Sequence, residues 1–272
     1  MKDKMTPKSR RKARPLAIYP LIMTLVTYLP IFVVAVYSFN ESKLSSIWGG
    51  FSLKWYEELF YDDAIFEALL NSVFLASASS IIAAIIATSA ALSIEKARLP
   101  LKGAVEKLSL MPLIIPEIIL GMVLLAFFTL LGLPFGMLTL LIAHTTFCVP
   151  YIYNQVKARL SVMDKFAIEA ARDLGASRMQ AFFTVTLPML APAIVSGMFL
   201  SFAMSFDDVI ISVFVTGVRV NTLPIIVYTS LKTGVTPKIN ALCTLMLAVT
   251  VLCYIIAGAI KGKKNTSAAL KE

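Results

Sequence analysis

The sequence predicts an all-α, polytopic membrane protein with six transmembrane helices and both termini on the cytoplasmic side. Three observations carry this. The chain is 58% hydrophobic and only 15% charged, its apolar residues fall into six long runs, and its basic residues alternate in density between successive loops. Soluble domains are about 45–50% apolar and about 25% charged, so these 272 residues, with a mean hydropathy of +0.81, lack the polar surface that water requires. A bilayer removes that need, because about 20 apolar residues at about 1.5 Å each cross its hydrocarbon core.

The six runs lie at Leu16–Phe39, Ala68–Ile94, Leu108–Leu133, Phe135–Val156, Met189–Val215 and Ile239–Ile260. The first follows a basic arm. It is longer than the 7–15-residue core of a secretory leader, so it reads as a retained anchor. Six crossings put both ends on one side. The arm, the loops 95–107 and 156–187, and the tail hold 20 of the 25 Lys and Arg, and the alternate loops hold five. Positive loops stay in the cytoplasm, which fixes the orientation and accounts for the net charge of +9 without nucleic acid. The organisation is then a basic cytoplasmic arm at 1–15, a single membrane domain at 16–260 with a cytoplasmic loop at 157–188, and a tail at 261–272.

The outer loop 40–67 is acidic (Glu41, Glu57, Glu58, Asp62, Asp63, Glu67) and carries Trp48, Trp55 and Tyr56, aromatics suited to the headgroup level. Between Asn71 and Ser93 the second span is rich in Ser, Thr and Ala, so it packs against protein rather than lipid. Cys148, Cys243 and Cys253 sit in apolar runs with no CxxC spacing and read as buried small hydrophobes rather than disulfide or metal ligands. Pro112 and Pro116 predict a kinked or broken third span.

The loop between the fourth and fifth spans is long for a compact domain and needs its own structure. Asp164 is placed to N-cap a helix from Lys165 to Leu174, and Gly175 to end it. Ser177 and Gln180 form a capping box that opens a second helix, and Pro188 marks entry to the fifth span. Glu169-Ala170-Ala171, three residues, Gly175, nine residues, Val185, one residue, Leu187-Pro188 resembles the "EAA" loop of binding-protein-dependent ABC importer permeases, with Val where that family usually has Ile. The resemblance implies the type I ABC importer permease fold and a short helix that docks into a separate ATPase. This chain carries no Walker A loop of its own: Gly262-Lys263 lacks both the upstream glycine and the following Ser or Thr. The resemblance therefore implies no cofactor in this chain, with ATP and Mg bound by the partner ATPase.

Glu117, Asp207 and Asp208 lie in apolar spans, where a central charge costs about 2.5–3.5 kcal/mol and so faces a bundle interior or a wet path. No Lys or Arg lies between Met189 and Val215, and His144 cannot neutralise three acids. A cationic solute suits such a site; the bland reading of the Asp pair is a helix-end cap, and that of His144 a packed hydrogen-bonding side chain. Ser205-Phe206-Asp207-Asp208-Val209 with Phe214-Val215-Thr216-Gly217, and His144-Thr145-Thr146-Phe147-Cys148, resemble the spermidine/putrescine permeases of the same family. That resemblance implies a polyamine path lined by Asp207, Asp208 and Glu117, with Trp55 near its outer mouth. Glu117 stands where those relatives carry Asp, which keeps the charge on a longer arm. It also implies as partners an ATP-binding cassette ATPase dimer, a second and different permease subunit, an extracytoplasmic polyamine-binding protein and membrane lipid. An ABC permease for another solute, such as ferric ion or thiamine, shares the loop. A stand-alone secondary transporter predicts internal symmetry, and a membrane enzyme predicts motifs such as HExxH or GxSxG; the sequence has none of these.

Overall fold

A computed structural model describes residues 7–43, 47–96, 102–164, 166–218 and 220–269. The expectations placed on Lys2, Lys4, Arg98 and Lys165 lie outside the described residues, as does the end of the tail. The described residues contain helices and no strand; one isolated antiparallel bridge joins Asn40 to Phe51. The helices are α1 (Pro7–Tyr37), α2 (Lys54–Phe60), α3 (Asp63–Lys96), α4 (Lys102–Ser109), α5 (Met111–Ile114), α6 (Glu117–Leu130), α7 (Met137–Ser161), α8 (Phe166–Asp173), α9 (Arg178–Ala181), α10 (Leu187–Phe206), α11 (Ile210–Val215), α12 (Leu223–Thr233) and α13 (Pro237–Ala269), with a π-helical turn, Phe182–Thr186, joining α9 to α10. Three are long and apolar enough to cross a membrane: Ile18–Tyr37, Asp63–Glu95 and the continuous Arg178–Phe206. Glu117–Leu130 and Pro237–Leu252 are shorter apolar helices.

The chain forms two compact units, one from the segment up to Asp63 together with Ser230 onward, the other from Ala64 to Thr229. In the first, α13 packs against both α1 and α2. The side chains of Ile18–Val33 stand exposed, as suits a helix whose surroundings are apolar. The loop after α1 is tied by Asn40, whose amide donates to Ile47 O at 2.8 Å and accepts from Gly49 N–H at 2.8 Å. Lys238 pairs with Asp62.

The second unit is built around α7. Leu140, Ala143, Phe147, Ile152 and Val156 form a buried core with Leu75, Ala83 and Ala87 of α3, Leu124 and Phe128 of α6, Leu190 of α10 and Ile211 of α11. Many small residues of α3, among them Ala76, Ser79, Ala83, Ala87 and Ala91, are buried as the composition predicts, while Ser89 and Ser93 are exposed. Gly197 of α10 sits so close to α7 that an added Cβ would stand 3.0 Å from the Ile152 Cα.

Two expected spans are broken. Pro116 lacks an N–H and drives Ile115 into an extended conformation (ψ 130°), which divides α5 from α6 in line with the proline pattern; a separate break at Leu110 divides α4 from α5. The fifth run, read as continuous to Val215, stops at Phe206 and restarts at Ile210. Its physical cause is the Asp pair: the Asp208 carboxylate captures the N–H groups that open α11 instead of leaving them to the helix ladder. α12, in the loop 216–238, has no counterpart in the sequence reading.

Candidate functional site

Glu117, Asp207 and Asp208 all lie at helix breaks. Pro116 is the N-cap residue of α6 and its carbonyl accepts from Ile119 and Leu120, which leaves Glu117 in the exposed first turn. A carboxylate there is favoured by the positive end of the helix dipole. Asp207 closes α10, donating its backbone N–H to Ala203 O at 3.2 Å, and its side chain is exposed. Asp208 differs. Its side chain is only 5% exposed and accepts from Ser212 N–H (2.9 Å), Ser212 Oγ (2.8 Å) and Ile211 N–H (3.3 Å). It is the cap of α11, the bland reading of the pair realised in one of its two members.

Glu117 opens α6, which packs along α11, the helix that Asp208 caps. Tyr151 of α7 is half-buried. It follows Pro150, which sits inside α7 and frees the carbonyl one turn back. Packing holds these breaks close: α6 lies along α11, where Gly121 leaves room for the ring of Phe214, which an added Cβ would meet at 2.6 Å.

Behind the acids runs a buried polar seam. His144 is fully buried, with Nδ1 2.7 Å from Ser205 Oγ and Nε2 3.0 Å from Ser212 Oγ. Ser205 also lies 3.2 Å from Ser79 Oγ on α3. Cys148 Sγ donates to Ser201 O, and Ser201 Oγ donates back to Cys148 O at 3.2 Å, a second lock between α7 and α10. Cys148 is buried and Cys243 half-buried, both free; the Cys253 side chain lies outside the described residues. Among the described residues no cluster of His, Cys, Asp and Glu has the makings of a metal site.

The loop 157–188 takes the predicted helix–turn–helix form at its start. Asp164 Oδ1 accepts from Phe166 N–H at 2.9 Å. Gly175 adopts φ +92°, and Ala176 N–H reaches Ala171 O while Gly175 N–H reaches Arg172 O, a Schellman end to α8. Ser177 and Gln180 close the capping box at 3.2 and 2.8 Å. The second helix then departs from expectation: it is continuous with the fifth span through the π-turn. Pro188 has no N–H to give, and Leu187 N–H reaches back five residues to Phe182 O. Leu187 and Pro188 thus open α10 directly. Glu169, Ala170 and Gly175 are exposed and Ala171 half-buried, flanked by Phe166 at 76% and Leu174 at 89% exposure. Beside α8 lies a cavity of about 520 Å³ whose walls include Glu95, Met163, Glu169, Arg172 and Phe182. Lys157 donates to Glu106 at 2.7 Å, and this hydrogen bond holds its ammonium above the ordinary lysine range.

Trp55 belongs to the first unit. It is buried, and its indole N–H donates to Asn40 O at 2.6 Å, so its polar edge is committed to the loop that it holds. Sequence reasoning missed Tyr151, Ser79 and Ser212. The available signal was hydroxyl groups recurring on otherwise apolar runs, which a bilayer tolerates only where they find partners.

The family described as "Binding-protein-dependent transport system inner membrane component" matches residues 95–263. The chain is 38% identical over 238 residues to the "Spermidine/putrescine transport system permease protein PotC" of Haemophilus influenzae, covering 88% of this chain and 93% of that one. It is 41% identical over 237 residues to the "Putrescine transport system permease protein PotI" of Escherichia coli K12, covering 85% and 84%. Among solved structures, a bacterial ABC transporter involved in import of the acidic polysaccharide alginate matches with a TM-score of 0.69 at 14% identity, covering 94% of this chain and 98% of that one. An amino acid ABC transporter matches with 0.58 at 15% identity, covering 77% and 98%. At such identities the structures speak for the fold alone.

Proposed function

This chain belongs to the family of binding-protein-dependent transport system inner membrane components, and from that premise we propose that it is the permease subunit of an ABC importer for polyamines. One observation carries the solute class. In a chain 38–41% identical to proteins named for spermidine and putrescine, exposed carboxylates at Glu117 and Asp207 each stand at a helix break, with no Lys or Arg in the fifth run. A flexible cation with separated ammonium groups offsets such charges one by one, and its methylenes suit the ring of Tyr151, which also offers a π face. The solute path takes Asp207, Glu117 and Tyr151 as its lining, Asp208 as the carboxylate that caps the break, and Trp55 as the residue that shapes the outer loop.

Six crossings leave both termini, with the 1–15 arm and the 261–272 tail, in the cytoplasm around one membrane domain at 16–260. The Glu169-Ala170-Ala171 helix, ending at Gly175, docks on an ATP-binding cassette ATPase dimer that holds the ATP and Mg. Exposed Phe166 and Leu174 supply apolar contact and Glu169 and Arg172 orient it. A second, different permease subunit completes the path, and an extracytoplasmic binding protein delivers the polyamine. ATP binding closes the ATPases, α8 moves with them, and Leu187-Pro188 transmits that motion into α10, at whose far end Asp207 stands. The spans rock, the path opens to the loaded binding protein, and hydrolysis resets them.

The test is uptake of labelled spermidine and putrescine by cells carrying the complete transporter. A charge-assisted contact is worth about 1.5–3 kcal/mol, so Asp207→Asn and Glu117→Gln should each lower uptake by roughly 10–100-fold at equal membrane abundance. Absence of uptake of either polyamine by the wild type would leave the importer reading and send the search to other solutes, ferric ion and thiamine first.

A further inference from the structure

His144 is the only histidine in the chain, and both its ring nitrogens are used. Its partners stand on opposite sides of the break in the fifth run: Ser205 in the last turn of α10 and Ser212 in the first turn of α11. A neutral imidazole donates from one nitrogen and accepts at the other, so the neighbours decide which. Backbone N–H groups donate to both oxygens of Asp208, which favours its ionised form, and an ionised carboxylate only accepts. Ser212 Oγ lies 2.8 Å from Asp208 Oδ2 and therefore gives it the one proton that a hydroxyl owns. The oxygen of Ser212 must then accept from His144, which places the imidazole hydrogen on Nε2. Nδ1 is left as an acceptor for the hydroxyl of Ser205, whose oxygen lies 3.2 Å from Ser79 Oγ, a hydroxyl that also donates to Ala76 O at 3.3 Å.

The hydrogens thus point one way, from Ser205 to His144 to Ser212 to Asp208, through α10, α7 and α11, with Ser79 of α3 beside Ser205. We propose that neutral, Nε2-protonated His144 is a positioning residue for the solute path: it bridges the α10–α11 break, makes Asp208 a structural anion, and leaves Asp207 to meet the solute. This rests on the reading that the break lies on that path.

A doubly protonated ring is the competing arrangement, since it too could donate to Ser212. Several observations stand against it. The ring is fully buried, where an unmatched charge is costly. Asp208 already has three donors, at 2.8 to 3.3 Å, while Nε2 stands 3.5 Å from its nearer oxygen, beyond good hydrogen-bonding range. The seam ties four helices through side chains alone, so the angle at the break, and with it the direction of Asp207, depends on the ring in the middle.

The test uses the whole transporter, purified and reconstituted in lipid with ¹⁵N-labelled histidine, with His144→Asn identifying the signal by difference. The expected spectrum shows a neutral ring with the proton on Nε2, and Ser212→Ala perturbs it. A ring protonated at both nitrogens, or at Nδ1 alone, overturns the proposal. Uptake is measured in parallel at equal abundance. His144→Gln, whose amide occupies the place of Nε2, should keep uptake within about threefold of wild type, while His144→Leu should lose tenfold or more. Adding His144→Leu to Asp207→Asn should cost little further, because the ring acts through that carboxylate; a purely structural residue would multiply the two losses. If Asp207→Asn transports normally, the solute-path reading falls and the transport role of His144 with it. If Asp207→Asn abolishes uptake and His144→Leu does not, the positioning role alone is overturned. The wild-type spectrum decides the hydrogen-bond order even if a variant fails to assemble.

Discussion

Gly175 shows how one residue's backbone controls the loop. At φ +92° it reverses the chain so that two carbonyls of the last turn of α8 find donors. Residues with a Cβ reach left-handed conformations at a cost of roughly 1–2 kcal/mol, Asn at less. Nothing lies within 4 Å of where a Cβ would stand, so the cost here is conformational and not steric. Uptake per ATP hydrolysed should therefore fall in the order Gly, Asn, Ala, Val at position 175, with membrane abundance unchanged. Normal coupling in Gly175→Val would detach α8 from the ATPase. The Ser177 cap is a smaller lever of the same kind: Ser177→Ala should lower thermal stability by about 1 kcal/mol, read as a modest fall in melting temperature of the purified complex.

Among the elements, two glycines make opposite predictions because of what faces them. Gly121 of α6 faces a side chain, the ring of Phe214, whereas Gly197 of α10 faces backbone, the Cα of Ile152. Over-packing of this kind costs about 1–3 kcal/mol. Gly121→Ala should lower thermal stability and be largely restored by Phe214→Leu. Gly197→Ala should lower it and stay low with Ile152→Ala, because the obstructing atom survives that change; Gly103→Ala, whose added Cβ meets nothing within 4 Å, is the control that should not lower it. The same distinction between local and tertiary causes explains how far the elements were legible. The break before α6 could be read because proline acts on its immediate neighbours, and so could the Asp164, Gly175 and Ser177 caps. The break after α10 has a local cap as well, Asp208 accepting from Ile211 and Ser212, but the apolar run that continues to Val215 hides it. The continuity of α9 with α10 depends on a π-turn that absorbs Pro188, and the rule that proline opens a helix predicts a boundary there instead. α12 rests on tertiary support as well: Leu223 N–H donates to the buried Ser72 hydroxyl, 151 residues away in sequence.

For the whole molecule, the family and the helix–turn–helix form of the loop after α7 were legible because their motifs are contiguous, and the carboxylates stood out because charge in an apolar run has few explanations. The division of labour between Asp207 and Asp208 was not, since adjacent identical residues differ only in what surrounds them. The proposed orientation is the remaining whole-molecule property, and its support is the distribution of charge. Twenty of the 25 Lys and Arg fall in the two ends and two of the loops, and moving them across the bilayer would cost far more than retaining them. With Cys148, Cys243 and Cys253 replaced by Ala, single cysteines report each side. A membrane-impermeant maleimide added to right-side-out vesicles should label Ser52→Cys and Tyr61→Cys, and spare Ser9→Cys, Ser177→Cys and Ser267→Cys; inverted vesicles should reverse the pattern. Labelling of Ser9 and Ser267 from opposite sides would require an odd number of crossings. Since α5 is only four residues long and α11 six, the broken third and fifth runs are where a miscounted crossing would arise. Labelling of Ser177 from outside would be more damaging, because α8 would then face away from the compartment that holds ATP and the docking role of Glu169-Ala170-Ala171 would be lost with it.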